Sequence, residues 1–111
     1  MQRVEKKFGR GDIIWLDFTP TKGHEQSGRR PAVVISPEEY NQKSGLLIAC
    51  PITSKIKGYP FEVRIDSKIK GAILVDQIRS LDWRERNTKY TEAAPAATMA
   101  KVKRLINLLL P

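Results

Sequence analysis

Five stretches of the chain have the hydrophobic patterns of β-strands. Residues 12–18 (DIIWLDF), 31–36 (PAVVIS) and 46–53 (LLIACPIT) are short apolar runs bounded by glycine, proline or polar residues. Residues 61–65 (FEVRI) alternate apolar and polar side chains, as a half-buried strand does, and residues 71–81 (GAILVDQIRSL) form one further apolar stretch. Five strands of this size with short connections predict a strongly bent sheet or a small barrel.

Two other segments predict helices. Residues 37–45 (PEEYNQKSG) can supply only a helical turn before the third strand. Beyond Pro95, a residue favoured at the first helical position, apolar side chains recur at intervals of roughly three and four, which predicts one amphipathic helix over residues 95–110. Leu108 and Leu110 widen its apolar face, which indicates either packing on the barrel or burial against a partner subunit. The expected fold class is therefore α+β, mainly β: a small β-barrel with short helices.

A polar loop joins the first two strands and gathers several chemically useful side chains. It holds His24 and Glu25 and is expected to last until about Arg30, where Pro31 opens the second strand at a position that needs no ladder donor. Because neighbouring side chains of a strand point to opposite faces, Arg29 and Arg30 should point apart. One of them can then face a ligand while the other lies at the rim.

Charge and length narrow the possible partners. At 111 residues the chain, residues 1–111, is expected to form one domain. Its 20 Lys and Arg against 12 Asp and Glu give a net charge of +8, which attracts polyanions and makes nucleic acid the leading partner class, although the charge could serve solubility alone. The N-terminal residues lack an apolar signal core and the apolar runs are too short for a membrane span, so a cytoplasmic protein is expected.

The residue inventory indicates chemistry without a metal or cofactor. No glycine-rich phosphate loop is present, and one histidine with one cysteine cannot build a zinc site of the usual ligand count, although carboxylates could still hold a hard metal ion. Cys50 lies inside an apolar strand and is expected to be an inert, buried thiol. Any catalysis should then depend on Arg, Thr, Glu or His side chains.

Several short motifs occur in a fixed order along the chain: Gly11-Asp12, Gly23-x-Glu25-Gln26-x-Gly28-x-Arg30-Pro31, Pro51-x-Thr53, Lys57-Gly58-Tyr59-Pro60-Phe61 and Asp76-Gln77. Together they resemble the MazF/PemK-like family of bacterial toxin ribonucleases over nearly the whole chain. The resemblance implies an SH3-like β-barrel with added helices that forms a homodimer. It also implies a type II toxin that cleaves single-stranded mRNA at specific sequences without the ribosome or a metal, leaving 2′,3′-cyclic phosphate and 5′-hydroxyl ends and inhibiting translation and growth. The implied partner is an antitoxin whose acidic, disordered segment folds along the basic groove.

The resemblance assigns the key catalytic pair to Arg30 and Thr53, and the chemistry of these side chains suits the reaction. In-line attack by a 2′-hydroxyl needs stabilisation of a phosphorane rich in negative charge, which the planar fork of Arg30 can supply, and Thr53 can donate to a non-bridging oxygen. Neither is an easy base, since arginine keeps its proton up to about pH 12. Glu25 and His24 are the local candidates for the base. Their alternatives are a loop-shaping hydrogen bond for Glu25 and a solvated position for His24.

Basic and planar side chains near this pair are the expected RNA contacts. We expect the RNA to be bound by Phe18, Lys22, Lys57, Tyr59, Gln77 and Arg79. Core packing is the alternative for Phe18, and a solvated rim is the alternative for the lysines. Trp15 and Trp83 are assigned to the core or to the dimer interface.

Two other functions share this fold. A non-enzymatic toxin that poisons gyrase has the same barrel, and a plain RNA-binding barrel would lack turnover, so fold alone does not separate the three. The presence of Arg30 and Thr53 in matching motifs favours the ribonuclease. The amino-acid sequence does not define which RNA sequence is recognised, beyond a weak preference for sequences that contain ACA.

Overall fold

The computed structural model describes residues 7–18 and 28–111 of the chain. Within this part lie seven antiparallel strands and two helices, with a short 3₁₀ turn at Val75–Gln77. The strands are β1 (Asp12–Phe18), β2 (Gly28–Val34), β3 (Leu46–Thr53), β4 (Glu62–Asp66), β5 (Lys70–Leu74), β6 (Arg79–Asp82) and β7 (Lys89–Ala93). The helices are α1 (Glu38–Ser44) and α2 (Ala96–Leu109). The predicted mainly β class, with a helical turn before β3 and a C-terminal helix, is confirmed.

Strand β3 organises the sheet because it pairs with three other strands. Its first half, Leu46 to Ala49, pairs with β6, while Ile52 and Thr53 at its end pair with β5. Its middle pairs with β2, with Cys50 opposite Val33. The strand order in the sheet is β4-β5-β3-β2-β1-β7, and β6 lies off this path, paired with β3. Strand β5 pairs with the end of β3 and β6 with its first half, and only the 3₁₀ turn lies between β5 and β6. Because β3 is thereby shared between two parts of the sheet, the sheet bends strongly, as predicted.

The core lies on both faces of this bent sheet. Ile14 and Leu16 of β1 point into one apolar cluster, while the preceding residue, Ile13, belongs to a second cluster that also contains Val102 of α2. This division follows from the period of two in a strand, which sends neighbouring side chains to opposite faces. Helix α2 covers the second cluster with the apolar stripe that the sequence predicts.

Helix α1 is fixed by a buried amide. The side chain of Asn41 is fully buried, and its Nδ2 donates to the carbonyls of Phe8 at 2.7 Å and Ser36 at 3.2 Å. Its Oδ1 accepts from the Ser36 hydroxyl. Trp83 donates from Nε1 to the Asn41 carbonyl at 2.8 Å and packs edge-on against Phe8. Asn41 thus joins the helix to the end of β2 and to the segment before β1.

Three strand predictions need correction. Residues 71–81 are two strands, β5 and β6, because the 3₁₀ turn at Val75–Gln77 interrupts their pairing with β3, although both strands run antiparallel to β3. The second strand begins at Gly28 rather than Pro31, and β7 was not predicted. Pro31 is tolerated inside β2 because the pairing with β3 starts only at Ala32.

Across residues 7–18 and 28–111, the longest helix is α2, and none of the helices has the length and apolar character required to cross a membrane.

A basic cleft as the candidate functional site

A cleft of about 750 Å³ opens where β2, the end of β3 and the 3₁₀ turn meet. We call this cavity the main cleft. Its walls are formed by Arg30, Thr53, Ser54, Lys55, Lys57, Tyr59, Phe61, Glu62, Leu74, Asp76 and Gln77. Three segments that are distant in the sequence therefore contribute to one surface.

The sheet register determines how the two arginines are presented. Arg29 lies opposite Asp17 of β1, and its Nη1 donates to the Asp17 carboxylate at 3.1 Å and to the Asn87 carbonyl at 3.0 Å. Arg30 lies opposite Leu16, on the other face, and lines the main cleft. The register thus sets the two residues on opposite faces of β2, as predicted, and Arg30 is the one of the two that lines the main cleft together with Thr53.

Thr53 is held rigidly at the end of β3. Its side chain is buried, with 7% of its surface exposed, and its Oγ1 accepts a hydrogen bond from the Lys55 amide at 3.1 Å. Because the oxygen already accepts a hydrogen bond, the hydroxyl proton is the part that can be donated to a ligand. A β-carbon on Gly71 of β5 would lie 2.1 Å from the Thr53 carbonyl oxygen, so the two strands approach as closely as they do only because this residue is glycine.

The loop between β3 and β4 forms the opposite wall. One carboxylate oxygen of Glu62 accepts hydrogen bonds from the amides of Lys57 at 3.2 Å and Gly58 at 3.0 Å. Gly58 has a φ of 76°, which favours glycine. Tyr59 is 60% exposed, and the Lys57 ammonium lies 5.8 Å from the centre of its ring. The loop therefore presents a planar ring and a cation side by side, held by Glu62.

Most of the predicted site residues within the described ranges meet in the main cleft: Arg30, Thr53, Lys57, Tyr59 and Gln77. Lys22, His24 and Glu25 lie outside the residues that the structure describes. Their predicted roles therefore stay predictions.

Phe18 and Arg79 occupy other positions. Phe18 is 3% exposed and belongs to the core cluster around Leu16, so its ring is not available for stacking on a base and the alternative of core packing is correct. The Arg79 guanidinium lies 5.5 Å from the centre of the Phe18 ring, away from the walls of the main cleft. Arg79 thus covers an aromatic core residue, and the predicted RNA contact does not follow from this position.

The sequence reasoning missed two carboxylates of the main cleft. Glu62 organises the loop, as described above, and Asp76 is exposed on the 3₁₀ turn. The sequence signal for Asp76 is its place in the Asp76-Gln77 motif. Behind this wall, burial raises the pKa of the Cys50 thiol from 9.0 to about 12, and the Asp76 carboxylate adds to the effect. Cys50 is a protonated core thiol, as predicted.

Comparison with known proteins gives a consistent result. The family model of the PemK-like, MazF-like toxins of type II toxin–antitoxin systems matches residues 9–110. The endoribonuclease toxin MazF of Escherichia coli (strain K12) is 48% identical over 102 residues, covering 90% of this chain and 91% of that protein. The endoribonuclease PemK of Escherichia coli is 31% identical over 106 residues, covering 90% and 80%.

Solved structures agree with this result. The crystal structure of MazF (form I) from Deinococcus radiodurans matches with a TM-score of 0.91 at 47% identity, covering 96% of this chain and 98% of that chain. A MazE–MazF crystal structure (form II) from the same organism matches with a TM-score of 0.85 at 47% identity, covering 96% and 97%. With this likeness over nearly its whole length, the chain belongs to the PemK-like, MazF-like toxins of type II toxin–antitoxin systems.

Proposed function

We propose that this protein is an endoribonuclease toxin that cleaves single-stranded mRNA at a specific sequence, and thereby inhibits translation and growth. The observation that carries the proposal is the shared position of Arg30 and Thr53 in one cleft that also contains Lys55 and Lys57. A phosphate in this cleft would meet a guanidinium fork, a hydroxyl donor and a cationic rim. The similar proteins named endoribonuclease support the same activity.

The proposed reaction is a transesterification within the RNA. The 2′-oxygen gives its proton to a base and attacks the adjacent phosphorus, and the bond from phosphorus to the 5′-oxygen breaks. The departing 5′-oxygen takes up a proton from the protonated base or from water, so a 2′,3′-cyclic phosphate and a 5′-hydroxyl result. Arg30 stabilises the charge on the phosphorane through two parallel hydrogen bonds, and Thr53 donates its hydroxyl proton to a non-bridging oxygen. In this scheme the charge on the phosphate is neutralised by Arg30, so the reaction proceeds without a metal.

The proton from the 2′-hydroxyl must pass to a base. We propose two carboxylates for this step, Glu25 from the loop after β1 and Asp76, which is exposed on the wall of the main cleft. Replacing each by its amide separates them, because the amide keeps the shape and removes the basic oxygen. The base is the residue whose amide variant loses kcat while KM changes little.

RNA binding in the main cleft is proposed to use the loop wall. Tyr59 offers an exposed ring on which a base can stack, Lys57 and Lys55 offer phosphate contacts, and the amide of Gln77 can read a base edge. We also keep Lys22 as an RNA contact.

We propose that the toxin works as a cytoplasmic homodimer restrained by an antitoxin. Leu108 and Leu110 at the end of α2 are each 67% exposed, which suits burial against a second subunit. An antitoxin with an acidic, disordered segment could occupy the cationic cleft and exclude RNA, consistent with the net charge of +8.

The test is incubation of the purified protein with a long unstructured RNA in EDTA, followed by analysis of the fragment ends. Discrete fragments with cyclic phosphates are expected. Arg30→Lys keeps the charge but loses the fork, so its rate should fall by roughly two orders of magnitude, about 3 kcal/mol. The matched control is Arg104→Lys on the exposed side of α2, which should cleave like the wild type.

Two results would contradict the proposal. A wild-type rate for Arg30→Lys would remove the electrostatic role of Arg30. Intact RNA, with the protein folded and free of antitoxin, would favour a gyrase-binding toxin or an RNA-binding barrel without turnover, and a gyrase-binding assay and an RNA-binding assay would then separate these.

A further inference from the structure

A second cavity, of about 280 Å³, lies directly beside the main cleft. We call it the side cavity. Arg30 and Ser54 line both cavities, so the two meet at the arginine that the proposed mechanism places on the reacting phosphate. The other walls of the side cavity carry Trp15 from β1, Arg29 from β2, Lys68 from the turn between β4 and β5, and Lys70 from the start of β5.

The side cavity has a surplus of positive charge. Arg29, Arg30, Lys68 and Lys70 contribute four cations, and none of the described residues that line the cavity is acidic. Arg29 is paired with Asp17, but Lys70 makes only a long contact of 3.9 Å with a carboxylate, between side chains that are mostly exposed. Exposed pairs of this kind neutralise little charge. The cavity therefore attracts an anionic ligand.

A planar side chain accompanies these cations. Trp15 is half-buried in β1, where the register sets it opposite Pro31 of β2 and Lys89 of β7. An indole held between strand neighbours gives a rigid surface for a stacked ring. Cations along a backbone path together with an aromatic platform are the features that single-stranded nucleic acid requires.

The turn that carries Lys68 is fixed to the sheet. The Glu92 carboxylate of β7 accepts hydrogen bonds from the Ser67 hydroxyl at 2.9 Å and from the Ile69 amide at 3.1 Å. The Ser67 amide also donates to the Ile69 carbonyl at 3.1 Å. Because the turn is held at both ends, Lys68 and Lys70 start from defined backbone positions, which reduces the entropy lost on binding.

We propose that the side cavity is a second RNA subsite, which binds the nucleotide on the opposite side of the cleaved phosphate from the nucleotides in the main cleft. Trp15 stacks on its base, and Lys68 and Lys70 contact the phosphate that follows. The inference rests on the proposed function, because it takes Arg30 as the residue at the cleaved phosphate. It adds that the RNA passes over Arg30 and is bound in both the main cleft and the side cavity.

The test compares Lys68→Ala/Lys70→Ala with Lys43→Ala/Lys101→Ala, a control pair of exposed lysines on α1 and α2. The substrate is a short RNA containing one cleavage site, and its affinity is also measured with a 2′-deoxy analogue that cannot react. The side-cavity variant should raise KM several-fold and leave kcat at saturation unchanged. The slope of log affinity against log salt should become shallower by roughly 0.7, because the two lysines contact one phosphate of a single strand.

A shortened substrate tests the position of the subsite. When the nucleotides on the side of the cleavage site that enters the side cavity are removed, the wild type and the lysine variant should bind equally, because the contact in which they differ is gone. Removing the nucleotides on the other side should leave the difference between them. Trp15→Leu should weaken binding at least about fivefold, while Trp15→Phe keeps a ring and most of the affinity. Circular dichroism establishes that both Trp15 variants are folded.

Three outcomes would overturn the inference. Unchanged affinity and salt slope in the lysine variant would show that RNA does not reach the side cavity. Unchanged RNA binding with weaker binding of an acidic peptide would assign the cavity to a protein partner, and loss of the dimer in light scattering would assign it to the subunit interface. Failure of the proposed function gives a different result, namely wild-type protein that binds the analogue but never cleaves the RNA.

Discussion

Gly71 offers the sharpest test of how Thr53 is positioned. This glycine has a φ of 153°, and a β-carbon there would lie 2.1 Å from the Thr53 carbonyl oxygen and 2.9 Å from its carbon. The obstacle is backbone, so no side chain can rotate away. In Gly71→Ala, strands β5 and β3 must therefore move apart at the register pair of Thr53 with Ala72.

The magnitude follows from this geometry. Bringing the new contact from 2.1 Å to an ordinary van der Waals distance requires the two strands to separate by at least about 1.3 Å. Forcing an extra methyl group into a packed interior costs about 1–3 kcal/mol, and a positive φ for alanine adds about 1 kcal/mol. We expect the free energy of unfolding to fall by about 3 kcal/mol. A displacement of Thr53 by about 1 Å should reduce the rate of RNA cleavage by roughly two orders of magnitude.

Urea unfolding and RNA cleavage measure the two effects, and Gly11→Ala is the matched control. Gly11 also has a positive φ, 91°, but its β-carbon would meet only the Met99 side chain at 3.7 Å. This variant should lose about 1 kcal/mol and cleave normally. If both alanine variants unfold alike and cleave at the wild-type rate, the close approach of Gly71 does not position Thr53.

Three further predictions concern stability and the loop. Asn41→Ala leaves two buried carbonyls without donors, so urea titration should show a loss of about 3 kcal/mol, and a loss below about 1 kcal/mol would contradict the anchoring role. Because the folded pKa of Cys50 is raised from 9.0 to about 12, its stabilising contribution is complete below pH 9 and is lost as the pH rises. Relative to Cys50→Ala, the wild type should lose up to about 1.4 kcal/mol of unfolding free energy per pH unit between these values, whereas parallel curves would refute this. Glu62→Ala removes the acceptor of the Lys57 and Gly58 amides, so the KM for RNA should rise about tenfold. The free energy of unfolding should change by less than about 1 kcal/mol, because the loop is exposed. An unchanged KM would show that the loop needs no anchor.

The strands that the sequence predicted best are continuous apolar runs with clear polar, glycine or proline boundaries. The predicted ranges 12–18 and 46–53 match β1 and β3. Residues 71–81 look continuous because Val75, in the 3₁₀ turn, is as buried as the residues of β5 before it, so the hydrophobic pattern does not mark the interruption between the two strands. Strand β7 was missed because its residues are exposed or half-buried at the sheet edge and show no alternation.

The candidate site was predictable only in part. Arg30 and Thr53 meet through the pairing of β2 with β3, which spacing along the chain does not reveal, and the family resemblance supplied the pair. The alternation of side chains along a strand could have assigned Phe18 correctly, because it puts Phe18 on the same face as the apolar residues Ile14 and Leu16 and therefore in the core.

The three-way pairing of β3 also divides the main cleft into two walls of different mobility. Opening β3 would break its ladders with β2, β5 and β6 together, so amide hydrogens near Thr53 should exchange with solvent only in global unfolding. Residues 54–60 are all exposed and should exchange through small local openings. The wall that carries Thr53 should therefore be the less flexible one, while the loop that we propose contacts the bases should tolerate substitutions. Loop substitutions could then change the recognised RNA word and leave the cleavage chemistry intact.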